Sequence, residues 1–284
     1  MTTTTPGFSP SRPAGRTVPD DGPGPLTQLR FNFVSEWTKL RSVRSTVLAL
    51  LATVVMTVGF AVLLCLGELS RWDHLSAHQR ATFKPATLSV SGALFAELVI
   101  GALGVLSMSA EYSTGTIRAT LTATPQRLVA YLAKIVTFAV TAFAVTLPTS
   151  VLAFLTAQAI LARRQAGVGL LDGDDPRVVV GAALFLVAVA LLGLGLAATL
   201  RHTAGAISTL FGLMLVLPLL SNFLPSDWQA HVDRWLPLNA GMAVMEQGPP
   251  QANGFDPWTG LGVLFGYALI ALLAGGVLLR HRDA

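Results

Sequence analysis

Charge is what this sequence has least of. Only 12% of its 284 residues are Asp, Glu, Lys or Arg, about half of the ~25% usual in a soluble domain. With 52% hydrophobic residues and a mean hydropathy of +0.62, the polar residues are too few to cover a water-soluble globule of this size. The deficit argues against a soluble enzyme or a nucleic-acid binder and points to an integral membrane protein. Cysteine is nearly absent. Cys65 stands alone, so no disulfide can form within the chain, and its place in an apolar run marks a buried, inert thiol. There is no G-x-x-x-x-G-K-[ST] phosphate loop and no polar stretch long enough for a nucleotide-binding domain. Any energy from ATP would therefore have to arrive on another chain. There is no H-E-x-x-H, no acid pair and no histidine well inside an apolar run, which argues against an intramembrane enzyme.

Six apolar runs are each long enough to cross a bilayer, which takes ~20 residues. They cover residues 46–67, 86–109, 135–162, 178–200, 203–224 and 258–279. The runs are continuous and do not alternate, so they read as helices rather than barrel strands. The third is long enough to tilt, with Pro148 as a kink point. The expected fold class is an all-α integral membrane protein with six transmembrane helices. Residues 1–25 hold six prolines and four glycines, and read as a disordered tail rather than a cleavable signal.

Lysines and arginines set the orientation, since they concentrate on the cytoplasmic side. With the N-terminus inside, twelve of them fall on inner segments and seven, Arg71, Arg80, Lys84, Arg163, Arg164, Arg177 and Arg234, on outer loops. Both termini are then cytoplasmic. Residues 26–45 precede the first span, and Leu26, Leu29, Phe33, Trp37 and Leu40 share one helical face. That pattern predicts an amphipathic helix lying along the inner surface. Residues 46–284 form the six-span domain. The first outer loop carries Asp73, His74 and His78, and the second Asp172, Asp174 and Asp175. Each is a weak metal pattern, and solvated loops are the expectation, with no metal site. Residues 225–257 are too long for a turn and too apolar for a free loop, which predicts short helices folded back against their own bundle.

The polar stretch "SAEYSTGTIRATLTATPQR", Ser109 to Arg127, lies between the second and third spans on the cytoplasmic side. Ser113 or Thr114 can cap a helix start, and Thr116 to Thr124 makes about two turns before Pro125 ends it. So short a helix is marginal alone and needs a partner surface. Glu97 is the one ionisable residue well inside a span. A charge there costs ~2.5–3.5 kcal/mol even on insertion scales. Ala93, Gly101 and Gly104 share its helical face, so Glu97 should look into the bundle, where a structural hydrogen bond is its expected role. Gly262 and Gly266 form a G-x-x-x-G pair in the last span, a second expected close-packing site.

Four stretches in this order and spacing, "SEWTKLRSVRST", "EYSTGTIRATLTATPQR" followed by Ala133–Lys134, "RWLPLNA" and "LLRHRDA", together with six spans, resemble the ABC-2 type transporter permeases of high-GC Gram-positive bacteria. The resemblance covers about residues 26–284. It implies a type V exporter-like permease fold in the bacterial plasma membrane. Two permeases, identical or homologous, would pair with two separate ATPase subunits that hold ATP and Mg. The segment 110–128 would be the coupling helix, with Glu111, Tyr112, Thr116, Arg118 and Arg127 as ATPase contacts. The chain itself would be non-catalytic, with no cofactor and no nucleic-acid partner. Apolar walls suit an amphipathic or lipid-like cargo. Two alternatives stand beside this: a proton-coupled secondary transporter using Glu97, and a membrane scaffold for a soluble partner.

Overall fold

The computed structural model describes residues 37–38, 42–113, 127–250 and 254–281. Every regular element among them is a helix. Six are long and apolar enough to cross a membrane: Arg44–His74, Pro85–Ala110, Leu128–Arg164, Asp175–Leu200, Thr203–Ser221 and Pro257–Leu279. This is the architecture of a multi-pass helical membrane protein. The tail 1–25 and fourteen of the twenty residues of the expected surface helix 26–45 lie outside the described residues.

Span four is the axis of the bundle. Of its most apolar stretch 89% is buried, against 17% for spans one and five. Its sequence explains this, because no charge falls between Arg177 and Arg201 and a helix that is apolar all round belongs inside. Spans two, three, five and six pack against it, and span one lies outside, against two and three. The outward faces of spans one, five and six are aliphatic, with Leu48, Leu63, Leu219 and Ile270 all more than half exposed. Such a surface is stable only against lipid or another apolar protein face.

Backbone irregularities have local causes. Span two is two helices, Pro85–Val90 and Ala93–Ser113, and at the break between them Gly92 lies against the backbone of Thr57. Span three runs unbroken through Pro148 as the helix Arg127–Leu161. Beside that proline, the Thr149 hydroxyl donates to Val145 O at 2.6 Å, the kind of side-chain bond that lets a membrane helix tolerate proline. At 35 residues this helix is ~52 Å long, more than the ~30 Å hydrocarbon core, so it tilts or projects beyond it. Span five contains a π-helical turn at Gly212–Val216 just before Pro218, and ends at Ser221 rather than at residue 224 as expected from the sequence.

The stripe through Glu97 packs as expected. A Cβ on Gly104 would overlap the Ala190 carbonyl of span four, and one on Gly193 would overlap the carbonyl of Gly101. The Gly262/Gly266 pair does not follow the same rule. Among the described residues, none comes within 4 Å of a Cβ built at either. The close-packing expectation for that pair is corrected: small residues permit an approach, but no span of this chain makes it.

Candidate functional site

At the end of the bundle where spans two and three are joined, four spans are tied into a closed ring by polar side chains. Lys134, in the second turn of the helix Arg127–Leu161, is 9% exposed. Its Nζ donates to Ser107 O at 3.3 Å, linking span three to span two. Tyr131, one turn earlier, donates its hydroxyl to Leu272 O at 3.0 Å, linking span three to span six. Arg201 closes the circuit. Its Nη2 donates to Leu278 O at 3.0 Å, and its Cζ lies 5.4 Å from the centre of the Tyr112 ring. Those two contacts join the end of span four to spans six and two.

The ring has a physical logic. Carbonyls in the last turns of a helix have no intrahelical donor, and that end carries partial negative charge. Leu278 is among the last four residues of its helix, so its carbonyl lacks such a donor and an arginine suits it, whereas Ser107 is six residues before the end of its helix and Lys134 is an additional donor to its carbonyl. Arg201 adopts a left-handed backbone, φ 54, where a helix usually ends on glycine. The cost of placing a side-chain-bearing residue there is offset by its N–H bond to Ala197 O at 2.9 Å and by the two side-chain contacts. His202 then begins span five, its Nδ1 accepting from Gly205 N at 3.1 Å.

Of the five expected coupling residues, the structure places one side chain. Tyr112 is half-buried under Arg201. Glu111 stands in the last turn of the helix Ala93–Ser113 and Arg127 opens the helix Arg127–Leu161, but their side chains lie outside the described residues, as do Thr116 and Arg118. The segment 114–126 therefore joins the two helices that carry Tyr112 and Tyr131.

Glu97 is 3% exposed. Its Oε2 is buried without a hydrogen-bond partner, and so is Ser150 Oγ. The pairs Gln158–Ser89 and Lys134–Ser107 fix the antiparallel register of spans three and two, which puts Glu97 at about the depth of Thr146 to Ser150. The expected structural hydrogen bond is thus not formed among the described residues. What surrounds the carboxyl is close helix packing, with Ala93 and Ala96 also fully buried.

The acidic loop residues are engaged in pairing at the opposite end. Asp73 meets Arg164 through two hydrogen bonds of 3.0 and 2.9 Å. His74 and His78 lie in separate elements, Trp72–His74 and Ala77–Ala81, so they do not share one helical face. Asp172 accepts from Gly169 N at 2.7 Å and Asp174 pairs with Arg177 at 3.1 Å. Asp175, expected in a solvated turn, is 1% exposed and accepts from Gln247 Nε2 at 3.0 Å. No cluster of metal-ligating side chains occurs among the described residues. Sequence reading overlooked Gln158 and Gln247. Gln158 joins Ser89 Oγ to the Val168 N–H, and Gln247 joins Asp175 to the Ala86 N–H and the Thr87 hydroxyl. Lys134 and Arg201 had entered only as charges for orientation. An arginine directly after a 26-residue helix was a usable signal; the glutamines gave none.

No protein-family model matches this chain, and neither does any curated protein sequence.

Proposed function

We propose that this chain is the membrane-spanning, non-catalytic subunit of an ATP-driven exporter in a bacterial plasma membrane. It would move an amphipathic or hydrophobic small molecule outward, with ATP and Mg bound by a separate ATPase. The observation that carries this is the ring of Lys134, Tyr131, Arg201 and Tyr112. A push on the segment between Ser113 and Arg127 reaches spans two, three, four and six together, because their ends are bonded to one another. Two further features support the reading. The chain has no phosphate loop of its own, and the resemblance to ABC-2 permeases places an ATPase contact on this same segment. Both termini are then cytoplasmic, and the aliphatic outer faces of spans one and five are available to lipid or to a second permease.

Co-expression with a phosphate-loop ATPase from an adjacent reading frame tests this. The pair should co-purify, and hydrolysis in liposomes should rise with cargo. Arg118→Glu, or glycine at both Ile117 and Leu121, should abolish co-purification while the permease still inserts. Unchanged co-purification and transport in both variants would refute the coupling role.

A second reading, transport coupled to a proton on Glu97, is favoured by one fact: the carboxyl is buried and hydrogen-bonded to no described residue. Glu97→Gln separates the two. Under the exporter reading it folds and transports normally, because the amide keeps the volume. A well-folded Glu97→Gln protein that binds the ATPase but transports nothing would favour the proton-coupled reading.

A further inference from the structure

The fold-back segment between spans five and six lies beside span six rather than beyond its end. A Cβ on Gly260 would overlap Ala240 O, and one on Gly241 would meet the Leu264 side chain, so the helix Pro237–Met242 runs along the first two turns of that span. The Tyr267 hydroxyl donates to Trp235 O at 3.1 Å. Span six starts at Pro257, and Tyr267 stands ~15 Å below that start. Helical side chains lean toward the N-terminus, which puts the Trp235 carbonyl level with the second or third turn of the span. The Trp235 ring reaches back toward the start, 4.8 Å from the ring of Phe255. At 23 residues span six is ~35 Å long, little more than the ~30 Å hydrocarbon core. Its start is therefore close to the hydrocarbon boundary, and Trp235 lies across that boundary.

The segment presents an open aromatic surface. Trp228 is 68% and Trp235 51% exposed. The helix Ser226–Val232 divides into three faces. Trp228 and Val232, four apart, share one, and Asp227 and His231 share the next. Both pairs are exposed. The third holds Gln229, half-buried, whose Nε2 donates to Asn222 Oδ1 at 3.3 Å, just past the end of span five. Phe223, 81% exposed, continues the surface to Leu219 and Leu220 on the open flank of that span. Arg234 is stacked into it, its Cζ 6.0 Å from the centre of Trp235 and 5.8 Å from that of Phe255.

The pattern of this surface selects what covers it. Bulk water does not reach an exposed tryptophan inside the hydrocarbon boundary. A helix of another protein calls for a continuous apolar or small-residue face. Here each apolar member follows directly on a charged or titratable one: Asp227 before Trp228, His231 before Val232, Arg234 before Trp235. One side of a single turn must therefore be dry and the next side wet. The boundary between headgroups and acyl chains supplies both within a few ångströms, and it is where tryptophan collects. A helix lying in that layer sinks its apolar face by ~5–10 Å. An arginine stacked on aromatic rings is at home there too.

We propose that the fold-back segment is a re-entrant anchor seated in the lipid of the leaflet at this end of spans five and six. Trp228, Val232 and Trp235 sit at the boundary between headgroups and acyl chains, and Asp227 and His231 face the water. The proposal is independent of what drives transport, of its direction and of which side of the membrane this end occupies.

The test uses the full-length purified protein in lipid nanodiscs. Phosphatidylcholine brominated near the headgroup or near the chain ends quenches tryptophan from within the lipid, and iodide quenches it from the water. The emission lost in Trp228→Phe and in Trp235→Phe isolates the contribution of each ring. Both contributions should be quenched most by the shallow bromines, less by the deep ones, and several-fold less by iodide. Spin labels on Val232→Cys and Asp227→Cys carry the test should a tryptophan variant not fold; Cys65 is buried and does not compete for the label. The label at Val232 should collide mainly with oxygen, which dissolves in lipid, and the label at Asp227 with a water-soluble nickel chelate. Quenching by iodide alone, or equal collision of both labels with the chelate, puts the segment in water and overturns the proposal. Protection of both rings from bromine and iodide alike puts a protein surface there, such as a second copy of this chain, and overturns it equally.

Discussion

Adding one methyl group at Gly104 should test the contact on which the bundle is built. Gly104 of span two rests on the backbone of span four. A Cβ there would overlap Ala190 O and lie 3.0 Å from the Ala190 carbonyl carbon and 3.1 Å from Leu194 N. Carbon and carbonyl oxygen approach to ~3.3 Å at closest, so the two helices must part by roughly an ångström. A gap of that size forfeits about a quarter to a half of each dispersion contact along the seam. Overpacking of this kind costs ~1–3 kcal/mol. Backbone cannot rotate aside as a side-chain tip can, so the upper part of that range applies. Alanine's better helix propensity returns up to ~1 kcal/mol, leaving a net loss of about 2 kcal/mol for Gly104→Ala. Gly59 and Gly262 supply the opposite case, since a Cβ at either meets nothing within 4 Å. Gly59→Ala and Gly262→Ala should therefore be neutral or stabilising by up to ~1 kcal/mol. Unfolding of the three variants in mixed micelles, titrated with SDS and followed by circular dichroism, measures the difference. Equal stability of Gly104→Ala and Gly59→Ala would show that spans two and four do not meet at this register.

Gln158→Leu should destabilise by ~1–3 kcal/mol, because it strands the Val168 N–H, whereas Gln158→Glu retains an acceptor and should lose less; thermal melts of the two variants decide this. Single cysteines at Gln79 and Ser226 should react with an impermeant maleimide in intact cells, and those at Ser42 and Thr203 should not, since the lysine and arginine distribution puts them on opposite sides. Labelling at Thr203 but not at Gln79 would invert the assigned topology.

That the chain holds six helices long and apolar enough to cross a membrane was readable from the sequence alone. A transmembrane helix is specified by the length and apolarity of a continuous segment, and both are local properties. The stripe of Ala93, Glu97, Gly101 and Gly104 was legible for the same reason, as spacing along one helix. Which surface such a stripe meets is not local. Gly104 and Gly262 look alike in sequence, yet the first lies on span four and the second faces no other span. The ring is non-local as well: Tyr131 reaches a carbonyl 141 residues away and Arg201 one 77 residues away. A carbonyl acceptor leaves no mark in the sequence, so neither bond could be read before the helices were packed. Asp175 is the extreme case. As a letter it is one of three acids in a short polar loop. Only the folded chain buries it to 1% exposure and sets it against Gln247, 72 residues away, because burial and partnership are properties of the packed bundle.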